Sequence, residues 1–253
     1  MNMTEQPYVK QNINNNIATI EFFHPAHNSL PGDLLAKLAN TITEAGNNDD
    51  VKVIILQSGG DRTFCAGASF NELISINDDK TGEIFFSGFA NVINAMRKCP
   101  KFIIGRIQGK TVGGGVGLAS AVDYCMATKY ASIKLSELNI GIGPFVVGPA
   151  VERKLGLSGM SQIAIDANSF YDAEWARSKG LYMQVFDDTV SLDKGVTAFA
   201  KNLCTYNPEA MQEMKKVFWT GTENWDELLI ERAKISGRLV LSAFTKKKLE
   251  SYK

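Results

Sequence analysis

Histidine is nearly absent: the 253 residues contain only His24 and His27, which share a proline-flanked loop. That scarcity argues against a histidine-based metal site or a serine–histidine catalytic pair. A turn role suits both residues better. The four cysteines, Cys65, Cys99, Cys125 and Cys204, lie far apart and form no C-x-x-C pair. A disulfide or zinc framework is thereby disfavoured, and the apolar surroundings of three of them suggest buried free thiols in a reducing cytosol. Neither sign of charge is in excess, with 27 Lys+Arg against 27 Asp+Glu. Nothing global therefore points to nucleic acid or an anionic membrane, and an anionic ligand must meet a local basic patch. The stretch MNMTEQPYVKQNINNN lacks an apolar core of signal-peptide length, and no apolar run is long enough to span a bilayer. No Gly/Ser-rich or Pro-rich linker and no internal repeat is visible. The expectation is a cytoplasmic protein.

Hydrophobic residues make up 45% of the chain, enough for a sizeable core. Alternation over 8–13 and 17–23 around NINNN predicts a β-hairpin. Asn28 and Ser29 offer helix-start chemistry for a helix over 30–45, in which Leu34, Leu35 and Leu38 keep a helical period and Gly46 closes the end. A strand is expected over 51–56 and a polar turn over 58–63. A short helix over 70–76 ends in Asn77-Asp78-Asp79-Lys80, read as a mobile surface segment. An amphipathic helix over 83–97 stops ahead of Cys99-Pro100. Strands are expected over 102–107, 124–127 and 132–135. This alternation implies right-handed crossovers in a largely parallel sheet with helices outside. Beyond Val146 the pattern turns helical, over 147–155, 159–167, 172–179, 192–205, 208–218 and 224–253, with one strand at 182–186. The chain divides into an α/β core over 1–190 and a helical C-terminal region over 191–253.

The organising stretch is 105–149. An apolar strand runs into Gly113, Gly114 and Gly115, and small apolar residues follow over 116–122. That is a buried strand, a glycine turn and a short helix packed behind it. Glycine lets backbone approach a ligand, and the first N–H groups of a helix have no partner within it, so such a turn suits an anion or oxyanion. A tight turn that merely packs its helix is the alternative.

Together with Asp123, Ser136-Glu137, the GIGP of 141–144 and FCAGASF at 64–70, this stretch resembles the enoyl-CoA hydratase/isomerase (crotonase) superfamily. The resemblance runs from about Ile17 to Phe186 in the family's order and spacing. It implies an α/β crotonase fold of repeated ββα units with a helical C-terminal trimerisation region. It also implies an acyl-CoA thioester substrate whose carbonyl oxygen gains charge as an enolate forms, with no metal and no cofactor beyond the coenzyme A of the substrate. The backbone N–H groups of Ala68 and Gly114 would form the oxyanion hole, preorganised donors worth roughly 3–4 kcal/mol each. Glu137 would be the acid/base. A carboxylate facing an apolar pocket has its pKa raised by desolvation, which suits proton transfer near neutrality. A glutamate stabilised at a helix N-terminus is the plainer reading of Glu137.

Two departures bear on the reaction. Hydratases with two catalytic carboxylates carry the first one four residues after the first glycine of GGG, where this chain has Gly117. Single-carboxylate chemistry remains: double-bond isomerisation through a dienolate, or hydration assisted from elsewhere. Phe145 stands where many hydratases have glycine and would reshape the acyl end. GGGVGL, LSE and IGIGPFVVGP together are similar to the methylglutaconyl-CoA hydratase-like branch, which also has glycine at the first carboxylate position. The resemblance thus implies hydration of a branched enoyl-CoA of methylglutaconyl type, as in leucine degradation. A Δ3,Δ2-enoyl-CoA isomerase is the alternative within fatty acid metabolism, and a non-catalytic acyl-CoA- or RNA-binding relative is the rival from another class.

Under this resemblance Gly117, Ser136 and Phe145 fall in the substrate pocket, with Ser136 orienting Glu137 or a water, or bonding backbone. A substrate carboxylate would meet Arg62, Lys110 or Arg153. Coenzyme A would run along Cys65, Ala66 and Ala68, its phosphates met by Arg62, Lys101 or the cluster Lys246, Lys247 and Lys248. Phe244 resembles the C-terminal aromatic that contacts a neighbouring subunit's ligand. The apolar tail residues Leu239, Val240, Leu241 and Phe244 must cover their own domain or a partner. A homotrimer or homohexamer is implied. Asp123 is read as a structural hydrogen-bonding residue at a strand start.

Overall fold

The structure is a computed structural model and describes residues 6–251. It opens with the expected hairpin, β1 (Tyr8–Asn14) and β2 (Ile17–Phe23), paired in antiparallel register. Asn15 and Asn16 both take positive φ, 51° and 62°, the two-residue turn whose twist matches its strands. There follow β3 (Ser29–Leu30), α1 (Gly32–Asn47), β4 (Val53–Ser58), β5 (Thr63–Cys65) and β6 (Gly67–Ala68). Next come α2 (Phe70–Ser75), α3 (Asp79–Lys98), β7 (Phe102–Ile107), β8 (Lys110–Val112) and α4 (Gly114–Ala121). β9 (Tyr124–Thr128), β10 (Ile133–Lys134) and a 3-10 turn over Glu137–Ile140 precede α5 (Gly148–Ile165) and α6 (Ala173–Ser178). The chain closes with β11 (Gln184–Phe186), α7 (Thr189–Leu203), α8 (Pro208–Phe218), α9 (Trp225–Val240) and α10 (Ala243–Glu250).

Six strands in the order β1-β2-β4-β7-β9-β11 make the main sheet, parallel beyond the hairpin. A small parallel sheet, β10-β8-β5, and the two-residue pair β3-β6 stand beside it and carry the backbone of the site. One face of the main sheet buries Ile20, Phe22, Ile54, Leu56 and Ile103 against α1, α3 and α4. The other face buries Ile17, Val53, Ile55, Ile104 and Met126 against Leu192, Val196 and Ala200 of α7. That two-sided burial is why β4 reads as an uninterrupted apolar run. Trp225, Leu229 and Ala233 of α9 belong to the principal core. Its close approach to α3 depends on two glycines, since a Cβ on Gly82 would lie 2.7 Å from Gly237 Cα. Among the described residues no helix is long and apolar enough to cross a membrane.

Several local expectations change. Asn28 and Ser29 do not start a helix, because Pro31 takes the N-cap position of α1. Asn28 instead adopts φ 56°, and its amide donates to the carbonyls of Gly59 (2.8 Å) and Thr63 (2.9 Å), tying its loop to the strand that leads into the site. Asparagine both tolerates this conformation and replaces backbone bonds. Gly46 does not end α1 but lies inside it, where a Cβ would meet Cys99 Sγ at 3.0 Å. The Asn77–Lys80 run, expected to be a mobile segment, is an N-terminus with a capping box: Asp78 accepts from the Thr81 amide at 2.7 Å. By contrast, the two helices expected over 147–155 and 159–167 are present, separated by a kink at Gly156, which takes φ 69°.

Candidate active site

The site begins where two glycine-bearing segments press together. A side chain on Gly67 (φ 92°) would come within 3.2 Å of the Val112 carbonyl and 3.6 Å of the Gly114 amide nitrogen. One on Gly114 would lie 2.3 Å from the Phe89 ring. Only glycine permits these approaches. Ala68, at the end of β6, and Gly114, the first residue of α4, consequently line one cavity of about 540 Å³. As the first residue of its helix, Gly114 has an amide with no acceptor inside α4.

Glu137 opens the 3-10 turn that follows β10 and reaches back over this junction. Gly113 leaves the space it needs, since a Cβ there would stand 3.2 Å from Glu137 Oε1. The residue as a whole is half-buried, but its Oε2 is shut off from solvent and has no hydrogen-bond partner among the described residues. Burial raises the carboxyl pKa to about 7, against the weaker pull of the Glu137 and Ser136 backbone amides. Such a group exchanges a proton readily at neutral pH. It stands at a helix start, where the ionised form is ordinarily favoured, but burial outweighs that pull here.

Much of the rest of the wall is apolar, built from Leu73, Phe85, Phe86, Phe89, Ile142 and Val146 among others. Phe145 belongs to it as expected, its ring over Gly143, where a Cβ would come within 2.8 Å. Ser136 also lines the cavity, but no hydrogen bond joins its hydroxyl to Glu137 among the described residues. Gly117 departs from expectation. It is not at the cavity wall but behind it, and a Cβ there would sit 2.5 Å from Val147 Cγ1, so Val147 occupies the direction in which a first carboxylate would project. Cys65 is likewise absent from the wall: fully buried, its thiol accepts from the Gly67 amide (3.4 Å) and is pushed up to about 12 by burial. Ala66 does line the cavity.

The family model described as enoyl-CoA hydratase/isomerase matches residues 12–251, nearly the whole chain. The chain belongs to the enoyl-CoA hydratase/isomerase family. Among curated members it is 29% identical over 231 residues to the peroxisomal Δ(3,5)-Δ(2,4)-dienoyl-CoA isomerase of Arabidopsis thaliana, covering 85% of this chain and 81% of that one. It is 28% identical over 200 residues to the mitochondrial methylglutaconyl-CoA hydratase of Mus musculus, covering 78% of this chain but 63% of the mouse protein's length. The fold is shared with a crystal structure of enoyl-CoA hydratase from Bacillus halodurans, with TM-score 0.89, 22% identity and coverage of 96% and 99%. The α/β fold and the acyl-CoA enzyme class read from the sequence are thus those of the family.

Within this family member the basic candidates scatter. Arg153 lies over the Trp219 ring, 4.9 Å from its centroid, and donates to the Phe218 carbonyl, so the side chain is committed to α8 and does not line the cavity. The Lys101 carbonyl accepts from Lys215 at 2.8 Å, and Lys101 and the exposed Arg62 are also absent from the wall. Lys247 and Phe244 sit on α10, outside their own chain's cavity. Phe244 is 67% exposed and packs beside Gly141, where a Cβ would come within 2.6 Å of its ring, at the end of the Glu137 turn. Sequence reasoning missed Lys134, which lines the cavity three residues before Glu137. The available signal was alternation: Ile133 is fully buried, so Lys134 must face the other way.

Asp123 has the structural role expected of it. Its Oδ2 accepts from Lys215 Nζ and the Ile103 amide, both at 2.8 Å, and its Oδ1 from Trp219 Nε1 at 3.2 Å. The histidines keep to their turn, where His27 has φ 54° and His24 Nδ1 accepts from the Ala26 amide at 3.2 Å.

Proposed function

We propose that the protein shifts a double bond in an enoyl-CoA thioester, from the 3- to the 2-position, with Glu137 as the only acid/base. The observation that supports this most is the pairing of Glu137 Oε2, buried and without a partner, with a cavity whose wall holds no second carboxylate among the described residues. The thioester carbonyl would lie between the Ala68 and Gly114 amides. Ionised Glu137, beside Gly113, would take a proton from C2, and the electron pair would delocalise onto the carbonyl oxygen held by the two N–H groups. The protonated carboxyl would return that proton to C4 as the double bond moves. Oxidation level is unchanged, so the reaction calls for no redox group, and the two amides do the work a metal would otherwise do. Coenzyme A enters as part of the substrate.

Hydration of a methylglutaconyl-type thioester is the second reading. It draws on GGGVGL, LSE and IGIGPFVVGP, and on Lys134 as a cation for the substrate's own carboxylate. A substrate panel separates the two readings. A 3-enoyl-CoA, crotonyl-CoA and 3-methylglutaconyl-CoA are followed by absorbance and mass. Conversion of the first without a mass change supports isomerisation, whereas gain of a water on the third alone supports hydration. No reaction with any of them, alongside tight thioester or RNA binding, would favour a non-catalytic relative.

A homotrimer or homohexamer is proposed as the working assembly, since the exposed Phe244 on α10 lies beside the Glu137 turn and a neighbour would cover it. Light scattering after size exclusion checks this. The cytosol is proposed as the compartment, in keeping with four free cysteines.

A further inference from the structure

Lys134 lines the cavity, and Lys110 shares an aromatic ring with it just outside the wall. Lys134 pairs with Val112 in the small parallel sheet, and Lys110 lies two residues before Val112 in the same strand, so both lysines project from one face. Their ammonium groups lie over a single ring, that of Phe170, at 5.2 and 5.4 Å from its centroid. Phe170 is 46% exposed and, like Lys110, lies outside the cavity wall. Among the described residues neither lysine forms an ion pair with a carboxylate. Asp166 is engaged by the Tyr171 hydroxyl and Ser169 Oγ, each at 3.0 Å. Apart from Glu137, Lys134 is the one charged residue on the wall among the described residues.

Two like charges gathered on one ring without a counter-ion form the local basic patch that a chain of zero net charge needs for an anionic substrate. We propose that Lys134, supported by Lys110 and Phe170, is the specificity-determining anion site of the cavity and binds an oxyanion carried by the thioester itself. That group is either a carboxylate on the acyl portion or a phosphate of the coenzyme, since both offer oxygens to a lysine ammonium. The inference rests on the acyl-CoA reading above, but not on which reaction follows.

Binding of saturated thioesters, which undergo neither isomerisation nor hydration, tests it on the full chain. Calorimetry would compare butyryl-CoA, glutaryl-CoA and butyryl-pantetheine on wild type, Lys134→Ala, Lys134→Arg and Lys110→Ala. Lys134→Ala should weaken the anion-bearing probe about 10- to 100-fold, the scale of a lost charge-assisted hydrogen bond. Lys110→Ala should weaken it less, and Lys134→Arg should restore most of the affinity. Loss confined to glutaryl-CoA assigns the site to an acyl carboxylate. Equal loss on both CoA thioesters with none on the pantetheine thioester assigns it to a phosphate. Unchanged affinities for all three, or an equal loss that includes the uncharged pantetheine thioester, would overturn the proposal. If wild type binds none of the probes, the acyl-CoA reading falls, and this inference with it.

Discussion

Glu137 and Asp123 are both carboxylates withdrawn from water, and they are treated in opposite ways. Asp123 accepts three hydrogen bonds, one of them from Lys215, whose side chain is only 3% exposed. Glu137 has a buried Oε2 with no hydrogen-bond partner among the described residues, and its pKa rises to about 7. Each follows from position. Asp123 sits where β7, β9 and α8 converge and can be surrounded by donors. Glu137 leans over Gly113 toward a cavity, where donors would block a ligand. A buried charge that is fully paired holds a fold together. One left without a partner costs stability and gains reactivity.

Removing each group should therefore give opposite results. Glu137→Gln keeps the shape and should lower turnover about 100- to 10,000-fold, the usual contribution of general acid/base catalysis, while thioester affinity stays within a few-fold. Steady-state kinetics and calorimetry check this, and retained turnover would contradict the assignment. Asp123→Ala leaves Lys215 charged and buried without its partner, so stability should fall by about 3–5 kcal/mol in urea denaturation. If that variant proved as stable as wild type, the paired-versus-unpaired distinction would collapse.

The same comparison has a pH signature. Because the folded-state pKa of Glu137 lies above its ordinary value of 4.5, ionising it costs the free protein stability as pH rises from 4.5 through about 7. Glu137→Gln should therefore be more stable than wild type at pH 8, by at most about 3 kcal/mol, and indistinguishable from it near pH 4. Denaturation midpoints at the two pH values give the answer. At Gly117 the effect is smaller: Gly117→Ala should destabilise by about 1–3 kcal/mol, because Val147 must move. Gly117→Glu should fail to improve hydration of crotonyl-CoA, and a clear gain would mean that the position is open after all.

The glycine segments were legible in the sequence because a close backbone approach is encoded locally, and Glu137 because it stands in a motif that carries the family resemblance. Gly67, Gly113 and Gly114 must be glycine where they are, and Glu137 follows its strand at a fixed offset. The basic residues were not legible. Whether Arg153 faces the cavity or Trp219 depends on how α5 meets α8, some 65 residues further along, and no local pattern reports it. Lys134 was hidden by the brevity of β10, whose two residues give alternation little room to show. Gly117 was read correctly as an absent carboxylate but misplaced as pocket, because only packing reveals that Val147 covers it.

The most direct test of the central claim needs no substrate. The glutamate carboxyl carbons, labelled with carbon-13, can be titrated by NMR in wild type and in Glu137→Gln. The account predicts one resonance in wild type with a midpoint near 7, missing from Glu137→Gln. If the resonance lost in that variant titrates near the ordinary glutamate value, Glu137 is not the buried, unpartnered base described, and the proposed chemistry loses its footing.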